Sequence, residues 1–409
     1  MEQADVLIIG AGMAGMCAAI SAAREGEHPV LLEALDQPGK KLLATGNGRC
    51  NLLNRNTPRF YGDSEFACRV LGKDPAEELE IFWKELGLRI RYDAEGRGYP
   101  CTFAAASVLD VLKAGMKRGC VEILTRTAAK EIRRTNGLYE IETNRDFVFR
   151  AQRLILATGG ASQPRLGGNQ SVWPWLKKQG HQLIHERPAL TPIQTDPRSV
   201  SGLSGIRVKC RVSVQTGKNT VHSETGELLF TDTGVSGICV MQCARFIEER
   251  RSTLLLDFFP DLFEDVETAF QDLRERQKRW PDEEPVDLLR GLLVPRLAYA
   301  VCKQAGLALR GEKNGDLSEM QLRSVAETVK RYQLQAESIE GFERAQVMSG
   351  GVSCRDIREE NLESRICKGL HITGELLNAD GDCGGFNLMF ASMTGIKAGR
   401  NSHAVSVRE

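Results

Sequence analysis

The sequence predicts an α/β chain: a largely parallel sheet flanked by helices, interrupted by a β-barrel-like and then helical insert. Three observations carry this expectation. The chain opens on an apolar run, Val6 to Ile9, that passes directly into Gly10, Gly12 and Gly15 and a helix of small residues. Two later apolar runs, Arg153–Leu156 and Gly369–Ile372, also end in glycine-containing turns, as buried parallel strands do. Between about residues 192 and 344 the texture changes to short runs rich in Val, Ser, Thr and Gly, followed by amphipathic stretches.

The first element is the most informative. Four apolar residues, Val6–Ile9, suit a strand buried on both faces, and the three glycines after it fall at G-x-G-x-x-G spacing. Gly10 permits the tight turn, Gly12 lets the backbone approach a pyrophosphate, and Gly15 lets the helix Met13–Arg24 pack closely on the sheet, with Ala14 on its first turn. The N-terminus of that helix is a ready anion site. Val30 to Leu32 then forms a second strand ending in Glu33 and Ala34, about 20 residues beyond the glycines, where a carboxylate accepts hydrogen bonds from a ribose diol. No Arg or Lys follows Glu33 directly, so FAD or NAD is favoured over NADP at this site.

With 409 residues the chain has room for two or three domains and a large core. Lys plus Arg and Asp plus Glu both count 54, so nothing in the net charge advertises a polyanionic partner. The N-terminus enters the first strand at once, and no run approaches 18 apolar residues; the expectation is a cytoplasmic protein without leader or membrane span. Twelve cysteines are scattered without a C-x-x-C pair and read as buried apolar residues or isolated thiols. His181 and His185 stand four residues apart, as on one helix face, but lack an acidic third ligand, so no metal site is expected.

Residues 36–54 are too rich in Gly and Asn for a regular element, yet they carry Lys40, Lys41, Asn47, Arg49 and Asn51 immediately after the ribose-binding strand. Such a loop suits the wrapping of a cofactor diphosphate. Cys50 has no partner four or five residues away, which speaks against dithiol chemistry.

The combination of V-L-I-I-G-A-G-M-A-G with G-K-K-L-L-A-T-G-N-G-R-C-N resembles a bacterial family of FAD-dependent oxidoreductases over essentially the whole chain. Members include a 3-dehydro-bile-acid Δ4,6-reductase, an aminoacetone oxidase and enzymes that reduce uridine in ribosomal RNA. The resemblance implies a two-dinucleotide-type FAD-binding, Rossmann-like domain in two parts, 1–191 and 345–409, around an insert or substrate domain at 192–344. It places Ala129 at the adenine, Thr158 and Gly159 near the diphosphate, and Gly374 and Glu375 at the ribityl chain and diphosphate. Gly384, Gly385, Asn387 and Leu388 would open a helix, Met389 to Arg400, whose positive end faces the flavin pyrimidine. The Gly96–Pro100 segment would lie on the way to the flavin, leaving Tyr99 either lining the site or an ordinary strand tyrosine.

Further along, Asp74–Gly87 reads as a capped helix with proline in its first turn, Ala104–Lys117 as another, and Val121–Leu124 as a strand. Leu138–Thr143 and Asp146–Phe149 alternate like a hairpin of a small antiparallel layer. In the insert, Ile206–Val214 and Val221–Phe230 read as strands and Phe263–Gln335 as mainly helical. Leu228–Gly237 resembles the family's F-T-x-x-G-x-S-G segment. Asp232 and Ile238 stand where some members carry His or Pro, so no proton donor is assigned there.

The resemblance implies reduction of a conjugated C=C bond in a 3-oxo-Δ4 or Δ4,6 bile acid or steroid, by hydride transfer from flavin N5. An amine oxidase producing hydrogen peroxide and a reductase of uridine in ribosomal RNA stand as alternatives; for RNA, zero net charge weighs mildly against, and Arg245–Arg251 and Arg274–Arg279 weigh for. No second strand-glycine-helix fingerprint occurs, so NAD(P)H would act only as a transient electron donor. Catalytic residues and oligomeric state stay open.

Overall fold

The structure, a computed structural model, describes residues 2–308 and 311–400; residues 1 and 401–409, which the expected segments 1–191 and 345–409 include, lie outside the described residues. The chain divides into two compact units, Met1–Pro188 with Ala345–Glu409, and Ala189–Arg344.

The first unit is built on a seven-stranded sheet. Its first strand, Glu2–Ile9, lies parallel between Pro29–Leu32 and Val148–Leu156, and Glu122–Leu124 extends the parallel set beyond Pro29–Leu32. Leu370–Ile372 joins the other side, parallel to Leu154–Leu156. Val6, Leu7 and Ile8 are fully buried, which explains the unbroken apolar run. The helix Met13–Arg24 covers the sheet with Ala14, Ala18, Ala19 and Ala22 inward. The terminal helix, Phe386–Arg400, packs backbone to backbone on it: a Cβ on Gly395 would lie 2.2 Å from Ala14 O, and one on Gly399 2.4 Å from Ala18 O. Small residues on both helices are therefore a steric requirement. Pro75–Leu86 carries proline in its first turn and stops at Gly87 (φ +102°); its buried Phe82 and Trp83 contribute about 2–3 kcal/mol each by area removed from water.

Asp146–Phe149 and Arg153–Leu156 are not separate strands. Val148–Phe149 and Arg153–Leu156 are parts of one nine-residue strand, Val148–Leu156, with Asp146 and Phe147 before it, and the strand changes partner on one edge midway. One edge pairs parallel with Glu2–Ile9 from Phe149 to Leu156, while the other pairs antiparallel with Leu138–Thr143 over its first half and parallel with Leu370–Ile372 over its second. The antiparallel ribbon Ala129–Thr135, Leu138–Thr143 is thus continuous with the main sheet rather than a distinct layer. A separate three-stranded sheet joins Leu53–Asn54, Arg97–Pro100 and Ile90–Tyr92.

The second unit contains a closed barrel of six strands: Ile193–Thr195, Gly234–Ser236, Asn219–Phe230, Arg207–Thr216, Ser252–Asp257 and Tyr332–Ile339. Alternation fills it: Cys210, Val212 and Val214, Leu228 and Phe230, and Leu254 and Leu256 are fully buried. Helices Val266–Arg279 and Glu319–Lys330 start at capping boxes built on Asp265 with Thr268 and Ser318 with Gln321. The expected helical stretch Phe263–Gln335 runs over by several residues, because Tyr332–Gln335 already belongs to the last barrel strand. Its signal was period two, with Tyr332, Leu334 and Ala336 buried between exposed Gln333 and Gln335.

Candidate functional site

The carboxyl ends of four parallel strands converge on one edge of the main sheet. Gly10 N–H donates to Leu32 O (2.8 Å), Ala157 N–H to Ile9 O (2.9 Å) and Thr373 N–H to Leu156 O (3.0 Å). The turns after Ile9, Leu32, Leu156 and Ile372 are thereby held side by side, the place where open parallel sheets bind ligands. Gly10–Gly15, Glu33, Thr158–Gly159 and Gly374–Glu375 all stand on these turns.

The three leading glycines have three different reasons. Gly10 takes φ +102°, and a Cβ there would meet Ala157 O at 2.4 Å. A Cβ on Gly15 would fall 1.9 Å from Gly10 O. Gly12, the cap of the first helix, would place a Cβ in open space, with nothing within 4 Å. Strand and helix therefore demand Gly10 and Gly15, whereas no described residue approaches a Cβ on Gly12 within 4 Å. A backbone cradle that a side chain would fill, at the positive end of a 12-residue helix, suits a pyrophosphate.

Glu33 is oriented before any ligand arrives. Its carboxylate accepts from Ala11 N–H at 2.9 Å and from Leu35 N–H at 2.8 Å. Thr127 N–H donates to Glu33 O at 2.8 Å, which brings the crossing that leads into Ala129, first residue of its strand, next to the acid. Ala34 is exposed beside them.

Glu375 forms a cluster that the sequence did not reveal. It accepts from Lys41 Nζ (2.6 Å), Ser162 Oγ (2.6 Å) and Met348 N–H (2.8 Å), while Lys41 Nζ also donates to Ser162 Oγ (2.5 Å). Gly374 holds φ +64° immediately before it, and Gly159 faces it across the crevice: a Cβ there would lie 3.9 Å from Glu375 Oε2. Ser162 follows the A-T-G-G turn by two residues, the one local cue to its place.

The segment 36–54 is not wholly irregular. Gly39, at φ +74°, starts a five-residue helix, Lys40–Ala44, and Gly46 and Asn47 then turn left-handed at φ +57° and +54°. Lys40 pairs with Asp36 at 2.6 Å, a bond that holds the Asp36 carboxyl below its usual range. Asn47 and Arg49 are exposed. Cys50 is fully buried, and burial pushes its thiol up to about 12, against a hydrogen bond with Thr45 that pulls it down.

At the start of the terminal helix, Gly384 and Gly385 take φ +120° and +103°. Asn54 Nδ2 donates to Gly384 O at 2.8 Å, and a Cβ on Gly385 would crowd Leu53 O at 2.6 Å and Asn51 Oδ1 at 2.7 Å. Asn387 grips the backbone of Gly381, accepting from its N–H and donating to its O, both at 2.8 Å. Its amide thus shapes the turn that precedes the helix; Leu388 is half-buried one residue on. The helix begins at Phe386, three residues before the expected Met389.

Two polar atoms test whether the crevice fits a dinucleotide. Thr158 Oγ1, on the turn after Leu156, and Asn51 Oδ1, beside Gly385, are buried without a hydrogen-bond partner among the described residues. Buried polar atoms are normally satisfied, and a cofactor with hydroxyls and ring N–H groups supplies what these two lack. His181 and His185, by contrast, do not share a helix face. His181 lies beyond the helix Trp173–Lys178, bonded to Ser364 Oγ at 2.8 Å, and His185 lies in the strand Leu183–Ala189. Cys239 and Cys243 are buried in the core of the second unit.

A family model described as the HI0933-like protein Rossmann domain matches residues 4–401. The chain is 34% identical over 404 residues to a 3-dehydro-bile acid delta(4,6)-reductase of Clostridium scindens, covering 96% of this chain and 97% of the relative. It is 25% identical to a ribosomal RNA dihydrouridine synthase of Haemophilus influenzae, over 95% of this chain and 96% of that one. Among solved structures, a 3-ketosteroid-delta4-(5alpha)-dehydrogenase of Rhodococcus jostii shares the fold, with TM-score 0.50 and 16% identity over 98% of this chain and 97% of the other. Among the described residues no helix is long and apolar enough to cross a membrane.

Proposed function

We propose, from the premise that this chain belongs to the HI0933-like family of Rossmann-domain proteins, that it is an FAD-dependent oxidoreductase reducing a conjugated C=C bond of a 3-oxo-Δ4 or Δ4,6 bile acid or related steroid enone. The observation that carries the substrate class is end-to-end identity of 34% with a bile acid delta(4,6)-reductase, on a chain whose crevice is built for a dinucleotide. Twelve free thiols suit a reducing compartment, and we place the activity in the cytoplasm.

Bound FAD, once reduced, would supply the hydride equivalent, a proton with two electrons, that the β-carbon of an enone accepts. The chain's own groups do the rest. Amides at the start of Met13–Arg24 would hold the diphosphate, and Glu33, already oriented by Ala11 and Leu35, would accept from the ribose diol. Lys41, Ser162 and Glu375 present one cation, one hydroxyl and one carboxylate to the ribityl and diphosphate region. The N-terminal amides of Phe386–Arg400 would stabilise negative charge on the flavin pyrimidine, which would favour the reduced cofactor. NAD(P)H fits as a transient donor.

Reduction of uridine in ribosomal RNA is a second reading, supported by the 25% identity to a ribosomal RNA dihydrouridine synthase. The chemistry is related, since the uracil 5,6 double bond is also conjugated to a carbonyl. The test offers both acceptors to FAD-loaded protein under a chemical reductant without oxygen. Loss of the diene chromophore of a 3-oxo-4,6-diene bile acid, with gain of two hydrogens by mass, is the expected result. An untouched diene alongside salt-sensitive uridine reduction would replace the first reading by the second.

A further inference from the structure

Enone reduction needs a proton at the α-carbon, and nothing above supplies one. The three-stranded sheet beside the terminal helix carries a candidate. On its strand Arg97–Pro100, Gly98 faces a filled side: a Cβ there would lie 3.0 Å from Leu53, Ile90 and Tyr92 side-chain atoms alike. Alternation sends Arg97 and Tyr99 to the opposite side. Arg97 runs against the Gly384 turn, its Cγ and Cδ 3.7 Å from where a Gly384 Cβ would sit, and Asn54, paired with Arg97 across the sheet, bonds Gly384 O. Tyr99 therefore shares the strand face that meets the start of the terminal helix.

Its hydroxyl is uncommitted. Among the described residues no group hydrogen-bonds Tyr99 Oη, whereas Tyr92, Tyr139 and Tyr332 bond Glu80, Lys368 O and Ser199 O. Half-burial pushes the Tyr99 phenol up, against the pull of Arg97 and with Asp93 and Cys383 adding to the rise and Arg49 opposing it, so it stays a neutral donor at neutral pH. Beside it stands Phe103, ring centroids 5.6 Å apart, 40% exposed and held at φ +52°. A left-handed phenylalanine that keeps its ring toward solvent is a strained choice of the sort found at ligand sites. Together the two rings form an apolar ledge suited to a flat polycyclic substrate.

We propose that Tyr99, on the strand face that meets the Gly384–Gly385 turn, is the general acid of the enone reduction, with Phe103 as the adjoining substrate ledge. This rests on the enone-reductase reading. The Tyr99 O–H bond breaks as a C–H bond forms at the α-carbon, while the β-carbon receives its hydride equivalent from reduced FAD, which returns to the oxidised form. The half-exposed phenolate then recovers a proton from water, and atoms and electrons balance.

The test uses FAD-loaded wild type, Y99F and F103A. Binding of a 3-oxo-4,6-diene bile acid to oxidised enzyme is read from the shift of the flavin band, and single-turnover reoxidation of photoreduced enzyme by the same diene is timed without oxygen. Y99F is expected to bind the diene within about threefold of wild type yet reoxidise about 100-fold more slowly, the scale of a lost general acid. F103A is expected to weaken binding about tenfold. Reoxidation of Y99F within threefold of wild type overturns the proposal. A wild type that binds no diene and is not reoxidised by it removes the enone reading itself, an outcome told apart by the wild-type control alone.

Discussion

Lys41 and Glu375, 334 residues apart in the chain, meet in an ion pair of 2.6 Å that Ser162 bridges on its other side. The pair ties the segment after the ribose-binding strand to the turn after the last parallel strand, closing the crevice from two ends of the sequence. Both side chains are mostly buried, at 27% and 20% exposed, so the bond is screened less than a surface pair. We expect K41M to lower stability by about 1–2 kcal/mol and to weaken FAD binding by about tenfold or more, read by denaturant melts and by equilibrium dialysis of FAD.

The leading glycines separate binding from folding. G12V adds a side chain where no described residue lies within 4 Å of the new Cβ, so its melting should stay close to wild type while FAD is lost. G15A must push a Cβ into Gly10 O from a position 1.9 Å away, and G10A combines φ +102° with a 2.4 Å approach to Ala157 O. Both should lose about 2–4 kcal/mol in apoprotein melts. A G12V variant that fails to fold would contradict this division of roles.

These outcomes bear on how much was legible from sequence. Gly10, Glu33, Gly159 and Glu375 each sit at a strand end marked by its own local pattern, so the crevice could be read piecewise. What escaped depends on distant partners. Ser162 and the Met348 amide matter only because the fold carries them to Glu375. Lys40–Ala44 hid as loop because a left-handed Gly39 and Gly46–Gly48 surround it. Val148–Leu156 read as two strands because the neighbour on one edge changes midway from antiparallel to parallel, which no residue in the strand announces.

His371 makes acid stability measurable. Burial, reinforced by the Arg153 guanidinium, pulls its imidazole from 6.5 down to about 4, while Asn361 O, bonded to Nδ1 at 2.8 Å, and Glu363 act the other way. Between those values the unfolded chain binds a proton that the native chain refuses. Stability from this residue is therefore complete above pH 6.5 and is lost as pH falls toward 4, by about 3 kcal/mol in all. Urea melts from pH 7 to 4 should show this slope in wild type and a shallower one in H371N.

Cys50 is buried and stays a thiol, while Cys68, Cys101 and Cys120 are exposed. Alkylation of native protein at pH 8 followed by peptide mapping should label those three and spare Cys50. C50A should keep the rate at which an enone reoxidises the reduced flavin within about threefold, which would be impossible if Cys50 worked as half of a redox dithiol.

The most direct measurement is anaerobic: the bound FAD is reduced by light, the protein is mixed with a 3-oxo-4,6-diene bile acid, and return of the oxidised flavin spectrum is followed. Fast reoxidation, one diene consumed per flavin, is the expected result. Flavin that stays reduced with the diene, yet is reoxidised at once by air, would contradict enone reduction as the function of this chain.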